Sequence, residues 1–309
     1  MPVFRDVGSD RGGLVAPKQE TDGSASMSST PLVSVIVLTY NHAWCIEQCL
    51  RGILSQRTTF LIEILVGDDA STDGTSEILT RYATQEPEKM SIFIRERSIG
   101  ATRNAYELFC RARGKYLAHC EGDDFWTAED KLQKQVDFLE SHPEYIGCTH
   151  NFETVDRKGR PVPAKLNWVS PKQHYTARDF KGINLPGQAA TWLHRNIFLN
   201  PVYDYSIYYR AHPMIGDRTL ILLLCAQGDF YRLPEVMSCY RCASGSATER
   251  EFLNNRNVNL MQYQFTCQLE EYARSVLKMK NVRFTRFKFE QLLKAKIKTI
   301  ILKGKNCDE

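Results

Sequence analysis

A chain of 309 residues can bury one large core, or two modest ones, without disulfide or metal staples. Hydrophobic residues at 43% and charged residues at 25% argue against a disordered chain, and the longest apolar runs, Leu32 to Leu38 and Leu220 to Ala226, fall far short of the roughly 20 residues that cross a bilayer. The net charge of +4 hides a segregated pattern: eleven Lys or Arg between Arg274 and Lys305 face only Glu290, a local +10 that leaves −6 for the rest of the chain.

Residues 1–30 have linker composition and no apolar signal-peptide core, so they are read as a disordered leader or linker, with Met27 as an alternative start. Ten cysteines fall mostly inside apolar periodic stretches, where thiols act as small hydrophobes, and a reducing cytoplasm is expected. Cys239 and Cys242 form one CxxC with no second pair downstream, which argues against a zinc site.

From Leu32 the pattern becomes apolar, β-branched runs separated by amphipathic segments, the signature of a parallel sheet with crossover helices. Strands are expected at Val33 to Leu38, Ile62 to Val66, Ser91 to Ile94 and Tyr116 to His119. Helices are expected at Ile46 to Ser55, Ser76 to Ala83 and Ala101 to Arg111, the second started by the polar run Ala70 to Thr75, in which Ser71 is placed as a cap. Three of these strands release polar clusters at their C-terminal ends: Thr39-Tyr40-Asn41, Asp68-Asp69 and Glu121-Gly122-Asp123-Asp124. Open α/β sheets bind ligands outside the carboxyl ends of their strands, so one site built from these loops is the economical reading.

Taken alone, Asp123 and Asp124 are either a hard-oxygen site for Mg²⁺ or Mn²⁺ or a solvated acidic turn. Asp68 and Asp69 are likewise either ligand contacts or ordinary turn residues. No GxGxxG or GxxxxGK[ST] follows the first strand, which disfavours dinucleotide dehydrogenases and P-loop phosphotransferases. A nucleotide held through a metal is what remains.

Four blocks in order, Val33 to His42, Ile64 to Thr75, Arg103-Asn104 and Gly114 to Trp126, resemble family 2 glycosyltransferases of the GT-A fold. The resemblance covers residues 32–142 and extends weakly to about residue 250. It implies a Rossmann-like, mostly parallel central sheet flanked by helices. The transferase domain would span residues 31–248, with 32–142 binding the nucleotide sugar, 143–248 binding the acceptor, and a basic helical extension over 249–309. It further implies that Thr39, Tyr40 and Asn41 line the nucleotide pocket, that Asp69 bonds the base, that Arg103 belongs to the donor site, that Asp123 addresses the ribose and sugar side, and that Asp124, with Asp123, holds Mn²⁺ or Mg²⁺ on the diphosphate. The sequence departs from a literal DxD, reading Glu-Gly-Asp-Asp, which leaves the part of Glu121 open.

Inverting transfer needs a base for the acceptor hydroxyl, and the resemblance puts it at Asp217 in Ile215-Gly-Asp-Arg-Thr219; read alone, Asp217 is equally a cap for a helix over Thr219 to Ala226. Arg241, in Tyr240-Arg241 followed by Ser244-Gly-Ser246, matches a late family element that steadies the leaving group, with a surface arginine as the competing reading. Gln188, Trp192 and His212 are acceptor-side candidates, although a lone tryptophan in such a run is more often core.

Helices are expected at Phe252 to Leu277 and Phe284 to Leu302. The basic stretch 274–305 either lies on an anionic membrane surface or packs on the domain, and no nucleic-acid partner is expected. The resulting expectation is an inverting, metal-dependent glycosyltransferase, with a UDP-sugar as favoured donor and a lipid-linked glycan of surface polysaccharide synthesis as acceptor. It would be cytoplasmic and peripheral on the inner face of the plasma membrane. The alternatives are a nucleotidyltransferase and a non-catalytic nucleotide-sugar-binding protein.

Overall fold

The computed structural model describes residues 30–164, 166–242, 258–280 and 282–305, the last with side chains through Lys296. All but the end of the expected leader, the Ser244 to Ser246 loop and the first residues of the helix expected from Phe252 lie outside these.

Strand β1 (Val33–Thr39) is buried on both faces. Val33, Val35 and Val37 share one core with Ile46, Cys49, Leu50 and Ile53 of α1 (Ile46–Leu54). Ile36 points the other way, into a core with Ala105, Leu108 and Phe109 of α3 (Ala101–Arg111). A strand covered by helices on both sides is what its unbroken apolar run encodes. It pairs in parallel with β2 (Ile62–Asp68) and β4 (Tyr116–Glu121), and β2 pairs with β3 (Met90–Ile94), with α2 (Thr75–Gln85) crossing between them. Relative to the sequence reading, β2 and β4 each run two residues further, into the polar clusters themselves.

The second half is mixed. After β5 (Phe125–Trp126) and α4 (Lys131–Ser141) come β6 (Tyr145–Val155), β7 (His174–Tyr175), α5 (Ala177–Phe180), a 3₁₀ turn at Ala189–Thr191, β8 (Leu193–Arg195), α6 (Ile207–Arg210), α7 (Asp217–Cys225) and β9 (Asp229–Arg241). One sheet runs β3-β2-β1-β4-β8-β6-β9-β5, with β7 on β9. Parallel pairing holds among β1 to β4 and between β6 and β9, whereas β8 is antiparallel to both β4 and β6, and β9 to both β5 and β7. Close approach of α1 to β5 depends on Gly52, where a Cβ would sit 2.6 Å from the Trp126 carbonyl oxygen.

Two helices follow, α8 (Val258–Ser275) and α9 (Thr285–Lys305). Phe265, Leu269 and Ala273 of α8 are buried in the same core as Leu220 to Leu224 of α7. The Glu270 carboxylate accepts the Phe284 N–H at 2.7 Å and Lys288 Nζ at 3.0 Å, which ties α9 to α8. No helix among the described residues is long and apolar enough to cross a membrane. The nine described cysteines are free thiols, six of them buried.

Candidate active site

Register assembles the site. Thr39 lies opposite Asp68, and Leu38 opposite Glu121, so the loops after β1, β2 and β4 leave the sheet side by side. Asn41 and Ala70 adopt left-handed backbone (φ 57 and 66) as the first two of these loops turn, a conformation non-glycine residues hold only when their surroundings enforce it. The enforcement is visible: Asn41 Oδ1 accepts the Thr72 N–H at 2.8 Å, and the Asn41 N–H donates to Ser71 Oγ at 2.8 Å. Tyr40 is partly exposed at the rim, while Thr39 is buried with its Oγ1 lacking a partner among the described residues.

The adjacent aspartates divide their work. Asp68 is fully buried and accepts from Ser71 and Ser76, so it shapes its own loop. Ser71 therefore serves Asp68 and Asn41, and the residue preceding α2 is Gly74. Asp69 reaches across to the entry of α3, accepting from Ser98 Oγ (2.6 Å), Ile99 N (2.8 Å) and Gly100 N (3.1 Å). Arg103, one turn into α3, is exposed and pairs with Glu107 at 3.5 Å.

Glu121, Asp123 and Asp124 each bring a carboxylate oxygen within 4.8 Å of the others. Asp124 is buried, with Oδ1 accepting the Arg241 N–H at 2.9 Å and Oδ2 accepting the Gln188 amide. Asp123 is half-buried, with His42 Nε2 4.0 Å from its carboxylate. Surrounding protein, then the charges of Asp123 and Asp217, push the Glu121 carboxyl upward, although the residue as a whole is exposed and solvent moderates the effect. Burial, then Asp123 and Glu121, drives Asp124 upward too. Carboxylates gathered this closely gain most from a divalent cation, and the all-oxygen donor set suits Mg²⁺ or Mn²⁺.

Across the crevice, Asp217 is the first residue of α7 and follows Gly216, which makes no side-chain cap bond. One carboxylate oxygen accepts the Arg218 N–H at 2.7 Å, and burial raises its carboxyl above the ordinary range. Its charge reaches Glu121 and the buried Tyr208 of α6, so the three share one space. A Cβ at Gly216 would lie 2.3 Å from Tyr208 Oη, which accounts for glycine there.

Arg241 comes to the site through its backbone N–H. Its guanidinium turns away, donating to Gln48 and, at 3.2 Å, to the Arg157 carbonyl, beside the Trp44 and Phe125 rings. It is buried, so the surface-arginine alternative is excluded. The three acceptor-side candidates present almost no surface. Gln188 is buried behind Asp124 and closes the 3₁₀ turn by accepting the Ala190 N–H at 2.8 Å. Trp192 is a core residue whose Nε1 donates to the Gly187 carbonyl at 3.0 Å, as its apolar bulk favours. His212 is buried against Phe265, and its Nδ1 accepts the Met214 and Ile215 N–H groups at 3.1 and 3.0 Å. Burial, then Arg218, lowers its imidazole to about 4. The sequence reading missed Tyr208 and Arg218 beside Asp217, and a Tyr-Tyr-Arg helix and an arginine after an aspartate carry no signal that would have singled them out.

Known proteins share parts of this sequence and this fold. An uncharacterized protein of Mycobacterium tuberculosis is 31% identical over 218 residues, 68% of this chain and 58% of its own length, so the chain spans little more than half of that relative. Staphylococcus aureus TarS 1–349 in complex with UDP-GlcNAc shares the fold at TM-score 0.55 and 18% identity, over 84% of this chain and 79% of that one. A mannosyltransferase from Pyrobaculum calidifontis in complex with GDP-Man and Mn²⁺ does so at TM-score 0.51 and 17% identity, over 90% and 80%. The pattern of Glycosyl transferase family 2 matches residues 34–198, more than half of the chain, and the protein belongs to that family.

Proposed function

We propose that the chain is an inverting, metal-dependent glycosyltransferase that moves a sugar from a nucleotide-diphosphate sugar, a UDP-sugar by preference, to a hydroxyl of a lipid-linked glycan of surface polysaccharide synthesis. The observation that carries the reading is the convergence of Thr39, Asp69, the Glu121 to Asp124 cluster and Asp217 on one crevice at the strand ends. The structural neighbours solved with UDP-GlcNAc and with GDP-Man and Mn²⁺ support a nucleotide-sugar donor and a divalent ion.

Asp124 and Asp123, with Glu121 beside them, would hold Mn²⁺ or Mg²⁺. A divalent ion there neutralises the donor diphosphate. Thr39, Tyr40 and Asn41 line the nucleotide pocket, Asp69 takes the base, and Arg103 serves the rim of the donor site. The Asp217 carboxylate accepts the proton of the acceptor hydroxyl as its oxygen attacks the anomeric carbon; the bond to the diphosphate oxygen breaks on the opposite face, and its electrons leave with the nucleoside diphosphate. Burial, which raises the Asp217 carboxyl, strengthens it as a base. Arg241, whose guanidinium is turned to Gln48 and the Arg157 carbonyl, serves the site through its backbone N–H, which holds Asp124 in place.

The test is release of nucleoside diphosphate from a panel of UDP-sugars and GDP-mannose with Mn²⁺, with and without EDTA. Release that needs the metal supports the reading. A non-catalytic binder would release none.

The enzyme meets its acceptor at the inner face of the plasma membrane. On α9, Phe289 and Leu293 are exposed one turn apart among Arg286, Lys294 and Lys296, while Gln291 and Ala295 are buried. That arrangement suits an anionic lipid surface. The full chain should float with phosphatidylglycerol-containing liposomes, and Phe289→Glu with Leu293→Glu should reduce recovery severalfold. Equal recovery of the two would refute the contact.

A further inference from the structure

Arg218 is a guanidinium buried to 4% exposure with no carboxylate within ion-pair distance among the described residues. Nη1 donates to Gln262 Oε1 at 2.6 Å and Nη2 to Thr266 Oγ1 at 2.8 Å, two acceptors one turn apart on α8. Thr266 Oγ1 is itself fixed by donating to the Gln262 carbonyl at 2.7 Å. The rings of Phe265 on α8 and Phe287 on α9 lie 4.6 and 5.1 Å from its Cζ. A buried cation without a partner charge is costly, and proteins retain one where its field is used. Burial lowers this guanidinium to about 10, and the charge that opposes the fall is that of Asp217, next in the chain.

We propose that Arg218 is a positioning residue for the transfer reaction, its guanidinium mounted on Gln262 and Thr266 of α8 so that its cation and its backbone N–H hold the Asp217 carboxylate ionised and aimed into the crevice. The other titratable groups that feel the charge of Asp217 are Glu121 from β4 and Tyr208 from α6. The contacts of α8 with Arg218 come from Gln262, Thr266 and Phe265, none of which titrates. The C-terminal helices thereby become part of the catalytic apparatus. This inference rests on Asp217 acting as the base.

The test uses the full chain with Mn²⁺ and a donor that it turns over, measuring kcat and donor KM for Arg218→Met, Arg218→Lys and the pair Gln262→Leu with Thr266→Val. In Arg218→Met kcat should fall at least about tenfold with donor KM changed by less than about twofold, and Arg218→Lys, which restores charge without the planar fork, should recover part of the loss. The double variant keeps the cation but removes its mount, and its kcat should fall severalfold at unchanged KM. If Arg218→Met fails to fold by circular dichroism, the double variant decides the matter. Wild-type kcat in a folded variant, or parallel losses in kcat and donor affinity, would overturn the proposal. Wild-type turnover in Asp217→Asn would instead overturn the base assignment.

Discussion

Asp217→Asn should lower donor turnover by about a hundredfold to ten-thousandfold, the range general-base catalysis supplies, while Mn²⁺-dependent binding of UDP, measured by calorimetry, stays as in the wild type. The side chain keeps its shape and can still accept the Arg218 N–H, so α7 has no reason to shift. What disappears is the basic electron pair. Binding survives because Asp217 lies across the crevice from the acidic cluster and makes no hydrogen bond to it among the described residues. The pH dependence has a definite sign. A base must be ionised, and burial raises this carboxyl, so the acidic limb of the rate profile should lie above the pH at which an ordinary aspartate ionises. Full turnover in Asp217→Asn would refute the assignment.

The second large effect separates the paired aspartates. Asp124→Ala and Asp123→Ala should both abolish Mn²⁺-dependent UDP binding, but only Asp124→Ala should also lower the thermal midpoint appreciably. Asp124 holds the Gln188 amide and the Arg241 N–H in a buried setting, and each donor left without a partner costs about 1–3 kcal/mol. Relief of repulsion from Glu121 and Asp123 offsets part of that loss. Asp123 accepts no hydrogen bond among the described residues, so its removal disturbs the cation and little else. Thermal melts without metal, set beside calorimetry with it, separate the two roles. Equal midpoints would show that Asp124 does not brace the β9 end.

The sequence made legible whatever depends on local pattern. The β-branched run of β1, the helical spacing of Ile46, Cys49, Leu50 and Ile53, and the acidic clusters after β2 and β4 were readable because each property resides in neighbouring residues. Long-range partnerships were not. Gln188 looked like an acceptor contact because nothing nearby shows that its amide meets Asp124, 64 residues earlier. The three-residue strand β8 carries no pattern of its own and exists because β4 and β6 lie on either side of it. Lys131 is fully buried against the Trp126 ring, its Nζ 2.8 Å from Gln135 Oε1, although a lysine in a charged run reads as surface. Asp217 was singled out only through its family motif, since Glu121 comes from a distant segment and no local pattern shows that Tyr208 of the preceding helix turns toward it.

The insertion of β8 also has a mechanical meaning. Because it bonds to both β4 and β6, the ladder is continuous from β3 through β5, and the parallel first half and the mixed second half form one plate with no seam between them. Neither half can swing against the other without breaking backbone hydrogen bonds. Rearrangement that keeps the ladder intact is therefore left to the connections at the strand ends, where Asn41 and Ala70 hold left-handed backbone angles, while the ladder itself fixes the floor of the crevice.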